Sequence, residues 1–219
     1  MLKSSTVNIV FTLAIVSLMA WDIYAEVSVW LYVLTIFVYS MIQAYGSIVL
    51  SAQFFVPVYS RAVSSDKAIA ITFDDGPIVG KTEKILEILK SKNVSAAFFC
   101  IGHRVKENPR LLNQIHNEGH VIGNHSYFHG KTFDLQTSSR IGEELTNTDD
   151  VIRETCNVVP AFFRPPYGVT NPMVAAAVGQ TKHKVVGWSV RSMRSSSPRS
   201  SPPGPRCRSR AVSKGRGRG

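Results

Sequence analysis

The feature that most limits how this 219-residue chain can fold is a stretch of 34 residues, 27–60, that contains no charged side chain. Its first 23 residues, from Val27 to Val49, are mostly apolar. A helix needs about 20 such residues to cross the hydrocarbon core of a membrane. We therefore predict a membrane-spanning helix within residues 27–50, and a soluble domain can begin only after it.

A shorter apolar stretch, residues 7–21, follows Lys3. Its 15 residues are few for a membrane span and close to the length of a signal-peptide core. The segment after it lacks the small residues of a cleavage site, and a second apolar run follows at once. We therefore favour a helical hairpin in the membrane, with Asp22 and Glu26 in its turn, over a signal peptide followed by an anchor. A single lysine does not decide which side of the membrane the rest of the chain occupies.

The formal net charge of +10 arises mainly from residues 191–219, which hold nine basic and no acidic side chains. This segment has no aromatic residue and few apolar ones, so it cannot build a core, and we expect a disordered basic tail. Such a tail could bind polyanions through charge alone. Without aromatic residues for base stacking, it predicts no specific nucleic-acid partner. The three cysteines have neither metal-knuckle spacing nor the even number of a disulfide framework.

After a short polar linker, residues 61–67, the pattern changes to that of an α/β domain over residues 68–190. Strands are predicted at 68–73, 96–101, 120–125, 161–168 and 184–188, and helices at 81–92, 109–118, 141–155 and 172–179. This alternation indicates a parallel sheet built from strand–helix units. In such sheets and barrels, the chemistry gathers at the carboxyl ends of the strands.

Polar or aromatic side chains follow four of the predicted strands. They are Asp74 and Asp75, His125 and His129, Arg164, and Trp188. Each has an ordinary structural explanation: a turn for the two acids, a polar surface for the histidines, a surface salt bridge for the arginine, and a core position for the tryptophan. Because parallel strands end at one edge of a sheet, their occurrence together favours a single site.

Two imidazoles and one carboxylate are ligands that suit Zn²⁺ in an open catalytic site. His125 and His129 are four residues apart, which on a helical turn would place both rings on one side. The second carboxylate is then free to act as a base toward water activated by the metal. The sequence therefore predicts a metal-dependent hydrolytic site at this edge.

Three motifs in this region resemble those of the NodB-type polysaccharide deacetylases of the carbohydrate esterase 4 group. They are TFDDGP at 72–77, HSYFH at 125–129 and RPPYG at 164–168, in the order found in that family. The resemblance covers about residues 66–190. It implies a distorted (β/α) barrel that removes acetyl groups from N-acetylated amino-sugar polysaccharides or oligosaccharides.

The resemblance also implies a role for individual residues. It makes Asp74 the catalytic base and Arg164 the residue that orients it, and Asp75, His125 and His129 the ligands of a divalent metal, expected to be Zn²⁺. Pro165, Tyr167 and Trp188 would border the substrate, with the backbone N–H of Tyr167 stabilising the oxyanion.

The sequence departs from the family after Trp188. Family members continue with an aspartate near a cleft tryptophan and with a Leu-x-His whose imidazole protonates the leaving amine, and neither motif is found here. We therefore expect an incomplete barrel and impaired activity, and we hypothesise that residues 191–219 are an out-of-frame translation of a longer coding sequence. The alternative is a membrane-anchored pseudoenzyme that binds carbohydrate or metal without turnover.

The predicted organisation is a membrane anchor (1–60), a linker (61–67), a partial deacetylase domain (68–190) and a tail (191–219).

Overall fold

The computed structural model describes residues 2–61 and 68–190. In this part of the chain the α-helices are α1 (Ser4–Asp22), α2 (Val29–Ile48), α3 (Thr82–Lys92), α4 (Gly102–Glu107), α5 (Pro109–Asn117), α6 (Ser138–Cys156) and α7 (Pro172–Thr181). The β-strands are β1 (Val58–Tyr59), β2 (Thr72–Gly76), β3 (Ala97–Cys100), β4 (Val121–Asn124), β5 (Phe162–Phe163) and β6 (Lys184–Val186). Short 3₁₀ turns occupy Leu50–Ala52, Phe133–Leu135 and Pro166–Gly168. Most of the predicted linker and the whole predicted tail lie outside the described residues.

The strands form one parallel sheet in the order β1-β6-β5-β4-β3-β2. The predicted α/β class with a parallel sheet is therefore confirmed. Among residues 2–61 and 68–190, β1 and β2 are edge strands, so closure into a barrel stays a prediction. Every strand runs in the same direction, which brings the loops after β2, β4, β5 and β6 to one edge of the sheet.

The first predicted strand of the domain was placed wrongly. It was expected at 68–73, with the two acids following it, whereas β2 runs from Thr72 to Gly76 and contains both acids. Phe73 pairs with Phe98, and the ladder resumes at Gly76 opposite Cys100, with a register shift between the two pairs. Asp74 and Asp75 therefore lie in a bulge, where extra residues redirect side chains without ending the strand.

The end of the predicted membrane anchor belongs to the domain. Val58 and Tyr59 form β1, which pairs with β6, and Leu50 is buried in the core. Residues 1–60 were predicted to form the anchor because they lack charge after Glu26. An edge strand buried on one face has the same apolar composition as the end of a membrane helix, so composition alone did not separate them.

Two hydrophobic clusters support the sheet. The first is formed by Leu86, Leu89, Ala96, Phe98, Cys100, Val105, Leu111, Leu112, Ile115, Ile122 and Ile152. The second is formed by Leu50, Val58, Phe133, Ile141, Leu145, Phe163, Val174, Ala177, Val178 and Val185. Helices α3 and α5 contribute to the first cluster, α7 contributes to the second, and α6 contributes to both.

Helices α1 and α2 contact each other through a stacked pair of rings, Phe11 and Tyr39, whose centroids are 4.1 Å apart. The side-chain oxygen Oδ1 of Asn8 accepts hydrogen bonds from Tyr39 and from Gln43. Both helices are long and apolar enough to span a membrane by length and composition, a test that a signal sequence also passes. Their membrane insertion therefore stays a prediction.

The core makes a quantitative prediction for stability. Leu112 on α5 is fully buried, whereas Leu135 is 80% exposed. We expect Leu112→Ala to lower the free energy of unfolding by about 2–5 kcal/mol, because it removes buried methyl groups and leaves a cavity. Leu135→Ala, the matched control, should change it by less than about 0.5 kcal/mol. Urea unfolding of both variants in mild detergent measures the difference, and equal losses would contradict the assignment of Leu112 to the core.

Candidate metal centre and active site

Three predicted ligands converge at the carboxyl end of the sheet. Asp75 Oδ1 lies 3.5 Å from His125 Nε2 and 3.4 Å from His129 Nε2. One ligand atom from each residue lies within 4.8 Å of the others. One carboxylate oxygen and two imidazole nitrogens are the donor set that catalytic Zn²⁺ takes from a protein, so these residues fit that ion.

The orientation of His125 is fixed by a backbone carbonyl. His125 Nδ1 lies 2.7 Å from the carbonyl oxygen of Arg164, in a buried position. Because a carbonyl oxygen can only accept, Nδ1 is the donor in this hydrogen bond, which directs Nε2 toward Asp75 as the nitrogen that could bind a metal. Such outer hydrogen bonds set the tautomer and the direction of metal-binding histidines.

The two histidines are not on a helical turn, so the predicted helical spacing of their rings is wrong. Residues 125–130 form a loop in which Ser126 and His129 have positive φ values of 64° and 53°. The loop folds back on itself, with the N–H of His129 donating to Ser126 Oγ at 3.0 Å. The ring centroids of His125 and His129 consequently come within 4.8 Å of each other.

Asp75 is placed by the bulge in β2. Its φ is 64°, in the left-handed region of backbone conformation that residues other than glycine rarely adopt. The guanidinium of Arg104, on α4, donates a hydrogen bond to the Asp75 carbonyl oxygen. Neither Arg104 nor the short helix that carries it was predicted from the sequence.

Local electrostatics favour the protonation states that bind a metal. The hydrogen bond from His125 lowers the pKa of Asp75 below its ordinary value of 3.8, and the nearby imidazoles add to this effect. Burial lowers the pKa of His129 below 6.5, although Asp75 opposes the change. Asp75 therefore favours the carboxylate and His129 favours the neutral imidazole, which are the ligand forms.

The predicted ion pair between Asp74 and Arg164 is confirmed. Arg164 Nη1 lies 2.6 Å from Asp74 Oδ1, and the arginine side chain is almost fully buried. The guanidinium also donates to Thr72 Oγ1 at 2.8 Å and to the Gly187 carbonyl at 2.9 Å. With its donors fixed in this way, Arg164 holds the Asp74 carboxylate in one orientation beside the three ligands.

The residues expected to border the substrate differ in exposure. Tyr167 is 47% exposed, and its ring centroid lies 4.9 Å from that of His129. Pro165 is buried, so it shapes the loop without presenting surface. Trp188 is half-buried: it packs against the second cluster, and its ring lies 5.5 Å from the Arg164 guanidinium. Trp188 therefore has contacts with both the core and the site.

Asn124 supports the histidine loop and was missed by the sequence analysis. It is fully buried at the end of β4. Its side chain accepts from Ser126 N at 2.9 Å and donates to the Leu145 carbonyl and Asp149 Oδ1, each at 2.8 Å. Its position in the sequence, at the end of an apolar strand and directly before His125, could have indicated a supporting role for Asn124.

Comparisons with known proteins agree with these motifs. A family model described as Polysaccharide deacetylase matches residues 61–186. The chain is 36% identical over 122 residues to a peptidoglycan-N-acetylglucosamine deacetylase of Bacillus cereus, covering 56% of this chain and 44% of that relative. The chain thus spans less than half the length of that protein.

Two solved structures are similar at the level of the fold. Peptidoglycan deacetylase PdaC from Bacillus subtilis superposes with a TM-score of 0.54 at 35% identity, covering 57% of this chain and 60% of that chain. Wild-type BA3943, a CE4 family pseudoenzyme from Bacillus anthracis, has a TM-score of 0.52 at 30% identity, covering 57% and 44%. The fold therefore occurs in both a deacetylase and a pseudoenzyme.

Removal of one imidazole should abolish metal binding. We expect His125→Ala to bind no Zn²⁺ under conditions where the unsubstituted chain binds one equivalent, because two protein ligands rarely hold this ion. Titration of the metal-free, detergent-solubilised chain with Zn²⁺ measures the stoichiometry. His116→Ala, at an exposed position on α5, is the control and should bind normally. One tight equivalent bound by His125→Ala would show that the cluster is not the metal site.

The lowered pKa of His129 predicts a pH effect on the metal-free chain. The pKa of His129 is about 6.5 in the unfolded chain and lower in the folded chain. As pH falls below 6.5, His129 therefore binds a proton more readily in the unfolded chain than in the folded chain. The free energy of unfolding should therefore decrease on acidification, and His129→Gln should remove that part of the decrease. Urea unfolding at a series of pH values measures how the free energy of unfolding changes with pH in both proteins. A steeper decrease on acidification in His129→Gln than in the unsubstituted chain would contradict a lowered pKa of His129.

Proposed function

This chain belongs to the polysaccharide deacetylase family, and we propose that it is a metal-dependent hydrolase that removes N-acetyl groups from an amino-sugar polysaccharide or oligosaccharide. The observation that carries the proposal is the arrangement at one edge of the sheet. Three metal-ligand side chains lie beside a carboxylate, Asp74, that a buried arginine holds in place. The name of the Bacillus cereus relative supports peptidoglycan as the class of substrate.

In the proposed reaction, Asp75, His125 and His129 hold the divalent ion. When bound, Zn²⁺ supplies a Lewis acid that polarises the acetamide carbonyl. Asp74 accepts a proton from the attacking water, and the C–N bond then breaks to give acetate and an amine whose nitrogen takes up a proton from solvent water. Arg164 holds the Asp74 carboxylate in position through their ion pair, in which Nη1 lies 2.6 Å from Oδ1.

The exposed side chain of Tyr167 gives this site a border against which the substrate can lie. Tyr167 has a φ of 59° within the Pro166–Gly168 turn, and its ring contacts His129. We assign the backbone N–H of Tyr167 to the developing oxyanion, since a fixed N–H beside the reacting carbonyl stabilises negative charge. Trp188, beside Arg164, would form the wall behind it.

We also propose that α1 and α2 anchor the domain to a membrane. Their apolar residues are mostly exposed, among them Val16, Trp30 and Phe37. In water, an exposed apolar surface of this extent would be unfavourable, whereas lipid would cover it. A cleaved signal sequence followed by one anchor is the alternative for α1.

Acetate release tests the proposed function. We expect the detergent-solubilised chain with Zn²⁺ to release acetate slowly from N-acetylglucosamine oligomers, in line with the impaired activity expected from the sequence. Asp74→Asn should lower this rate to background, because removal of a catalytic base typically costs about 10²–10⁴ in rate. Asp134→Asn, in the Phe133–Leu135 turn, is the control and should leave the rate unchanged.

The pseudoenzyme alternative predicts a different result. It retains binding of Zn²⁺ and of glycan oligomers, but it gives no acetate release above the Asp74→Asn background. The intact pair of Asp74 and Arg164 favours turnover over this alternative. Acetate release that persists in Asp74→Asn would contradict the role of Asp74 itself.

A further inference from the structure

The loop between the two histidines is held by a buried carboxylate on α6. The backbone N–H groups of Tyr127 and Phe128 both donate to Glu144 Oε2, each at 3.2 Å. Gln136 Nε2 donates to the other oxygen, Oε1, at 3.0 Å. Glu144 is only 5% exposed. One side chain thus accepts hydrogen bonds from two consecutive amides that lie between His125 and His129.

The loop needs such support because its backbone is unfavourable by itself. Ser126 and His129 both adopt positive φ, which costs energy for residues other than glycine. On the opposite side, Gly102 N and His103 N donate to the carbonyl groups of Ser126 and Tyr127 at 3.0 Å. The loop is therefore held between the start of α4, which binds its carbonyls, and Glu144, which binds its N–H groups.

The side-chain carboxyl group of Glu144 acts in this contact as a hydrogen-bond acceptor. Among residues 2–61 and 68–190, no lysine, arginine or histidine forms a salt bridge with it. Burying a carboxylate is costly unless hydrogen bonds replace its water, and its partners here are two backbone N–H groups and one amide. An apolar residue at this position would leave the N–H groups of Tyr127 and Phe128 without their acceptor.

We propose that Glu144 is a positioning residue that keeps the histidine loop in the geometry required to bind the metal. The inference rests on the proposed metal site. A movement of Tyr127 and Phe128 away from α6 would shift His129 relative to Asp75, since only one residue separates Tyr127 from His129. Glu144 acts on metal affinity through the loop and does not itself contact a ligand atom.

The test is the Zn²⁺ affinity of the metal-free, full-length chain in detergent, measured against a competing chelator. We expect Glu144→Ala to bind Zn²⁺ about 10–100-fold more weakly, the usual loss when an outer hydrogen-bond partner of a metal ligand is removed. Glu144→Gln, which keeps an oxygen acceptor but not the charge, should show a smaller loss. The matched control is Glu143→Ala, because the neighbouring Glu143 is exposed and only loosely paired with Arg140 at 3.8 Å. It should bind as the unsubstituted chain does.

A second control separates positioning from general stability. Leu112→Ala should weaken the fold without touching the loop, so its Zn²⁺ affinity should remain unchanged while the protein is folded. If Glu144→Ala does not fold, Glu144→Gln decides the question. Unchanged affinity in a folded Glu144→Ala, or in Glu144→Gln when the alanine variant is unfolded, would overturn the proposal. Failure of the unsubstituted chain to bind Zn²⁺ would instead overturn the proposed metal site.

Discussion

The carboxyl end of the sheet is organised around the buried guanidinium of Arg164. This side chain follows β5, pairs with Asp74 in β2 and donates to the carbonyl of Gly187 after β6. It also lies 4.1 Å above the ring of Phe99 in β3. A buried charge keeps this position only while all its partners are present, because an unpaired one is strongly destabilising. The relative placement of these strands and the orientation of Asp74 therefore depend on the same group.

The sequence was sufficient to predict the parallel α/β fold and the residues that meet at its edge. Alternating strand and helix patterns imply parallel pairing, and parallel strands end together, so Asp75 and His125 were expected to be neighbours. The local geometry was not predictable in the same way. The bulge that contains Asp74 depends on pairing between β2 and β3, and the loop of His129 depends on bonds to α4 and α6. Sequence spacing wrongly predicted a helical turn.

Glu144 shows why supporting residues are harder to predict than ligands. It lies inside an amphipathic helix, where a glutamate at a buried position resembles the exposed glutamate before it. Only the packing of α6 beneath the loop reveals that its partners are the backbone N–H groups of Tyr127 and Phe128. Such bonds use backbone groups, so the side chains of the partner residues give no sign of them in the sequence. Periodicity assigns a residue to a buried face but does not identify the backbone groups that face it.

The attachment of α2 to the domain has a mechanical consequence. The carbonyl of Ser47, in the last turn of α2, accepts a hydrogen bond from Thr170 N at 3.0 Å, and a Cβ at Gly168 would lie 3.3 Å from Leu50. The end of α2 and the loop of Tyr167 are thus in direct contact. If α2 is inserted in a membrane, these contacts keep the candidate active site at a short distance from the lipid surface. In the proposed function, the glycan substrate would then have to approach the lipid surface.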